Sequence, residues 1–66
     1  MEVLKGYIDH FIYRNEENGY AVVNFISDGH EQTLVGTFSD AGPGDILEAE
    51  GEYVEHNVYG NQFKVS

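Results

Sequence analysis

Cysteine is absent from this chain of 66 residues, so neither a disulfide framework nor a thiolate metal site is available to it. That suits a reducing compartment. Basic side chains are nearly as scarce, three against twelve acidic ones, for a formal net charge of −9. Such a balance favours solubility, strains the compact state by self-repulsion and discourages approach to polyanions. No apolar run approaches membrane-spanning length, and the start Met1-Glu2-Val3-Leu4-Lys5 lacks the charged head, long apolar stretch and small-residue cleavage site of a secretory signal. The expectation is a soluble, cytoplasmic protein with no membrane partner. Also missing is any Gly-x-x-x-x-Gly-Lys-Ser/Thr segment, and with it the phosphate cradle and magnesium-binding hydroxyl of an ATP site. Ser27, Ser39 and Ser66 stand in no nucleophile elbow. His10, His30 and His56 fall on different elements without the paired spacing of metal ligands, so no metal site is expected.

What is present is alternation. Residues 3 to 14 read as one long strand with apolar side chains on both faces, Val3, Tyr7, Phe11 and Tyr13 on one and Leu4, Ile8 and Ile12 on the other. That pattern fits a strand that bends and feeds two sheets, with Gly6 or a bulge near Asp9 and His10 as the bend and with Ile8 and Phe11 both pointing inward. Asn15 to Gly19 is a turn by composition, with positive backbone angles expected at Asn18-Gly19. Tyr20 to Ser27 is a second strand, and Asp28-Gly29 the next turn signal. The third strand runs from Glu31 to Phe38, after which Gly42-Pro43-Gly44 breaks the chain. A fourth runs from about Asp45 to Glu55, with Leu47, Ala49, Gly51 and Tyr53 as its buried face, Glu48, Glu50 and Glu52 in water, and a bulge expected at Val54 where the phase breaks. A loop from Asn57 to Asn61 then returns the chain as Gln62 to Val65. Gly60 is expected to require a positive angle more strictly than Gly29.

Sixty-six residues allow one small domain, which buries only about 60% of its unfolded surface. Five short strands without helical periodicity point to an all-β fold, a small five-stranded antiparallel barrel. The size suits a reduced OB-fold spanning residues 1–66, because the segment containing Gly42-Pro43-Gly44 cannot form the helix that commonly links the third and fourth strands. An SH3-like barrel is the alternative.

Several segments carry a resemblance: Gly6-x-Ile8, Arg14-Asn15-Glu16-Glu17-Asn18-Gly19-Tyr20, Val35-Gly36-x-Phe38, Gly42-Pro43-Gly44-Asp45, and Gly51-Glu52-Tyr53-x-x-His56-x-x-Tyr59-Gly60-x-Gln62-Phe63. Together they resemble the amino-terminal OB domain of bacterial RecD-like ATP-dependent DNA helicases, a group that includes exodeoxyribonuclease V alpha-like subunits. The departures are Tyr53, where a tryptophan is expected, and Ser39, where a proline often follows the phenylalanine. The resemblance implies that the chain is the N-terminal fragment of a longer enzyme of DNA repair and recombination that unwinds DNA 5′ to 3′. ATP and magnesium are implied for that parent protein, and no cofactor for the fragment.

Among the residues themselves, Glu48, Glu50 and Glu52 recur about 7 Å apart on one strand face, but an exposed ridge lacks the burial that a general acid needs, and a solvated face is expected. OB-folds commonly stack bases on aromatics in a basic groove. Tyr7, Tyr13, Tyr20 and Tyr59 are the candidate platforms, Lys5, Arg14 and Lys64 the candidate phosphate contacts, and His56 a candidate anchor of the loop to Tyr59 or Gln62. The electrostatic funnel is missing. The expected role is therefore noncatalytic, structural or protein-docking, with the helicase core of the same chain or another protein as partner and DNA reached through the parent protein. The alternative is an independent OB module that binds single-stranded nucleic acid.

Overall fold

The turn residues close each strand where the apolar alternation lapses. The computed structural model describes residues 1–38, 40–58 and 60–66. Its strands are β1 (Glu2–Arg14), β2 (Tyr20–Ser27), β3 (His30–Thr37), β4 (Ile46–His56) and β5 (Gly60–Val65). They form a closed barrel in the order β1-β2-β3-β5-β4, antiparallel except for the parallel β3–β5 pair. Long β1 pairs with β2 along one part and with β4 along the other. This is the OB arrangement, and it sets aside the SH3-like alternative.

The inner layer follows from the register. Phe11 lies opposite Val23, Val23 opposite Leu34, Leu34 beside Phe63, and Phe63 opposite Tyr53, which makes one apolar hoop around the barrel. Ile8, Val23, Phe25, Leu34 and Phe63 are fully buried. Tyr53 is not. It stands 40% exposed at the end of the hoop with its ring edge-on to Phe63, centroids 5.1 Å apart. The expectation of an interior Tyr53 is thus corrected: β4 reaches the rim there, and every residue from Glu52 to Val58 is exposed.

Two register shifts in β1, between Ile8 and His10 and between Phe11 and Tyr13, explain how its two faces are used. The first leaves Asp9 over and lets Ile8 and Phe11, an odd number of residues apart, both face inward. The second leaves Ile12 over and turns Tyr13 to the outside, although simple alternation groups it with Phe11. No comparable shift occurs at Val54, whose register with Gln62 is continuous, so the bulge expected there is absent and Val54 faces outward.

The barrel turns its corners at two glycines. Tyr7 pairs with both Ile26 and Ile46, and Gly51 with both Glu2 and Val65. A Cβ at Gly6 would collide with the Ile26 carbonyl oxygen, and one at Gly51 with the Lys64 carbonyl oxygen, whose carbon would lie at 2.9 Å. Backbones therefore approach at both corners as only glycine permits.

Asp28 (φ 53°) and Gly29 (φ 77°) make a two-residue hairpin turn of the twist that matches its strands. In the β1–β2 turn, Gly19 (φ 76°) takes the positive angle and Asn18 instead accepts the Tyr20 N–H at Oδ1, 2.9 Å away. Gly60 (φ 78°) opens β5, two residues earlier than alternation suggests, and has no more restricted surroundings than Gly29. Between β3 and β4, the Gly44 N–H donates to the Ile8 carbonyl (2.7 Å) and the Ile8 N–H to the Asp45 carbonyl (3.0 Å). This turn binds the bulged part of β1 where a helix would otherwise sit, and no helix occurs among the described residues.

Candidate nucleic-acid interface

Strands whose inward positions are filled by the hoop present the intervening residues outward. Register places Tyr13 opposite Val22, Val22 opposite Val35, Val35 beside Lys64, and Lys64 opposite Glu52. Tyr20 lies opposite Thr37 on the same side, and Asn24 opposite Thr33. Two shallow grooves cross this face, one lined by Ile12, Tyr13, Val22, Thr33 and Gln62, the other including Tyr20, Val35, Val54 and Lys64. They meet at Gln62. Val35 is only 7% exposed yet stands outside the core cluster, so the outer face carries a small apolar centre of its own. Tyr13, 52% exposed, borders it.

The candidate side chains divide. Tyr13, Tyr20 and Lys64 come together on this face. Tyr7 does not: it lies six residues back along β1, roughly 20 Å of extended chain, beside Ile26 and the 84%-exposed Ile46. Tyr59 falls outside the described residues. His56 ends β4, and its Nδ1 accepts the Val58 N–H at 3.0 Å, which ties the ring into the β4–β5 loop.

Each cation has an acid or an internal partner nearby. Lys5 lies opposite Glu48 with Nζ 3.6 Å from its carboxylate, both exposed, an arrangement worth little to stability. Arg14 is half-buried, donates from Nη2 to the Phe38 carbonyl at 3.1 Å and holds its guanidinium 4.6 Å above the Phe11 ring. Its role in the fold is to fasten the residue after β3 to β1 by a charge-assisted bond and a cation–π contact. Lys64 faces Glu52 across the β4–β5 ladder. Glu48, Glu50 and Glu52 remain exposed along β4, as expected of a solvated ridge.

Alternation alone does not identify Val22, Val35, Val54 and Gln62 as part of a surface. The available signal is the adjacent pair Val22-Val23, which makes β2 apolar on both faces, together with the broken phase at Val54. Among the described residues, no group of three or more His, Cys, Asp or Glu side chains converges to hold a metal ion. No described helix is long and apolar enough to cross a membrane.

The chemistry of this face is stacking and apolar contact, with hydroxyl and amide groups at its margins and one cation among the described lining residues. Residues 1–66 match the family model described as ATP-dependent DNA helicase YrrC, OB-fold domain. No curated protein and no solved structure matches the chain.

Proposed function

The chain belongs to the family of the OB-fold domain of the ATP-dependent DNA helicase YrrC, and from that premise we propose that it is a noncatalytic accessory domain whose main work is to dock protein surfaces. It forms the amino-terminal part of a longer, RecD-like 5′-to-3′ helicase in the cytoplasm. The helicase core supplies the ATP and magnesium chemistry, and DNA is reached through that core. The observation that carries the docking reading is the outer face around Val35, apolar and aromatic, with Lys64 as its cation among the described lining residues. Phosphate binding draws its affinity from clustered Lys and Arg, which this face does not gather.

The second reading, a module that itself binds single-stranded nucleic acid, is favoured by one feature. Tyr13 and Tyr20 border the face of β2 and β3, where OB-folds take oligonucleotides. Stacking supplies about 1 to 3 kcal/mol per base, whereas micromolar affinity requires about 8 kcal/mol. The dissociation constant for single-stranded DNA should therefore be weaker than about 100 μM at physiological salt.

The test mixes the isolated domain separately with the remainder of the helicase polypeptide and with a labelled oligonucleotide. Docking predicts a complex with the helicase remainder by analytical ultracentrifugation, abolished by Tyr13→Glu. Low-micromolar DNA binding lost in Tyr13→Ala would favour the second reading, and no complex with the remainder would sink the first.

A further inference from the structure

Twelve carboxylates are spread through these 66 residues, yet among the described residues none lines either groove of the outer face. Four of them stand at its margins. Glu52 ends the cross-strand row that begins at Tyr13, and Glu31 follows on β3 beyond Thr33. Glu16 and Glu17 occupy the turn that joins Tyr13-Arg14 to Tyr20. An apolar centre inside a charged rim is the anatomy of a protein–protein interface, in which tyrosines give large contact areas at low entropic cost.

The sign of the rim selects among occupants. A second copy docked face to face would set the same carboxylates against each other, on bodies of net charge −9 each. A nucleic acid would bring phosphates to the same acids with Lys64 as the cation on the described face. A protein segment with lysines or arginines around apolar side chains meets no such opposition: its cations face Glu16, Glu17, Glu31 and Glu52, and its apolar residues cover Val22, Val35 and Val54. Arginine can in addition stack on the exposed rings of Tyr13 and Tyr20.

We infer that the outer face centred on Val35 is the docking site and that its partner is a basic protein segment with an apolar centre. This rests on the docking reading above and adds to it the chemistry of the partner.

The test titrates the isotope-labelled domain, followed by amide NMR, with three probes. These are a synthetic peptide with a leucine-tyrosine centre flanked by lysines, an oligolysine of equal charge, and an oligothymidylate. The expected result is that the lysine-flanked peptide shifts the Val22, Val35 and Gln62 amides. Tyr13→Glu should weaken it about tenfold, and the combined Glu16→Gln, Glu17→Gln and Glu52→Gln variant should weaken it and flatten its salt dependence. Tyr13 and the three glutamates are exposed or at the margin, and unchanged melting temperatures verify that each variant folds. The inference is overturned if oligolysine binds as tightly, if the shifts map elsewhere, or if the oligothymidylate takes the face more tightly than the peptide. Should the domain bind the helicase remainder through Tyr13 but not the lysine-flanked peptide, the partner chemistry falls and docking stands. Should it bind neither, both fall.

Discussion

Replacing Gly51 by alanine tests the corner geometry directly. A Cβ there meets the Lys64 carbonyl carbon at 2.9 Å and the Val65 Cα at 3.0 Å, with the Lys64 oxygen closer still, whereas ordinary contact begins at 3.4 Å. The carbonyl carbon must then retreat by about 0.5 Å and the oxygen by more, which pulls β5 from β4 at the pairs Gly51–Val65 and Glu52–Lys64. Overpacking of this kind costs about 1–3 kcal/mol, and weakening two backbone hydrogen bonds adds about 1 kcal/mol each. The lower entropy of an unfolded alanine returns about 0.4–1 kcal/mol, so the net loss should be about 3 kcal/mol. A domain of this length has a total stability of about 3–10 kcal/mol. With a urea slope near 1 kcal/mol/M, the midpoint should fall by about 3 M, read by far-UV circular dichroism and tyrosine fluorescence. Gly42→Ala is the control, because a Cβ there meets nothing within 4 Å and its midpoint should hold. Equal midpoints for the two variants would refute the close approach at this corner.

Phe63→Ala should cost about 3–5 kcal/mol by emptying a fully buried position within the hoop, while Tyr53→Ala, half-exposed, should cost about 1–2 kcal/mol; equal losses in chemical denaturation would count against the rim position of Tyr53. Gly60→Val and Gly29→Val should each lose about 1–2 kcal/mol, since both glycines hold positive φ in open space, and a clear difference in melting temperature would contradict this. Added sodium chloride should raise the melting temperature by screening a net charge of −9, and a fall over the first few hundred millimolar would mean that specific ion pairs outweigh self-repulsion. Any residual binding of single-stranded DNA should show a log–log salt slope of about −0.7, the release expected from Lys64 alone, and a slope near −2 would bring Lys5 and Arg14 back as phosphate contacts.

Strand number, the bend in β1 and the inward pair Ile8 and Phe11 are legible in the sequence, because alternation interrupted by apolar residues on both faces has few physical solutions. The second shift, at Ile12, is not. A bulge reverses the facing of everything beyond it, and nothing local to Ile12-Tyr13 distinguishes it from continued alternation. The shift also conceals the outer face, because simple alternation groups its first aromatic, Tyr13, with Phe11. The position of Tyr53 meets a different limit: alternation gives the facing of a residue but not its height along the barrel. Arg14 could be counted as a cation in the sequence, but its bond to the Phe38 carbonyl joins residues 24 apart and required the fold to be visible.

Among the described residues, the parallel seam between β3 and β5 holds at two register pairs, Leu34–Phe63 and Val35–Lys64. The sheet partners β1-β2-β3 and β4-β5 can each form across short turns, whereas joining them needs two long-range seams: β1–β4, whose partners lie 39 to 49 residues apart, and β3–β5, whose partners lie 29 apart at an entropic cost of about 3 kcal/mol. The β3–β5 seam is the less extensively paired of the two, so the lowest-energy opening of the native state should part these strands. Hydrogen exchange would report that breathing as faster loss of protection along the seam than along β1–β2. Because Val35 and Lys64 lie on either side of it, a protein seated on the outer face would clamp both strands. Slowed exchange would then spread to Leu34 and Phe63, whose side chains face the interior and never touch the partner.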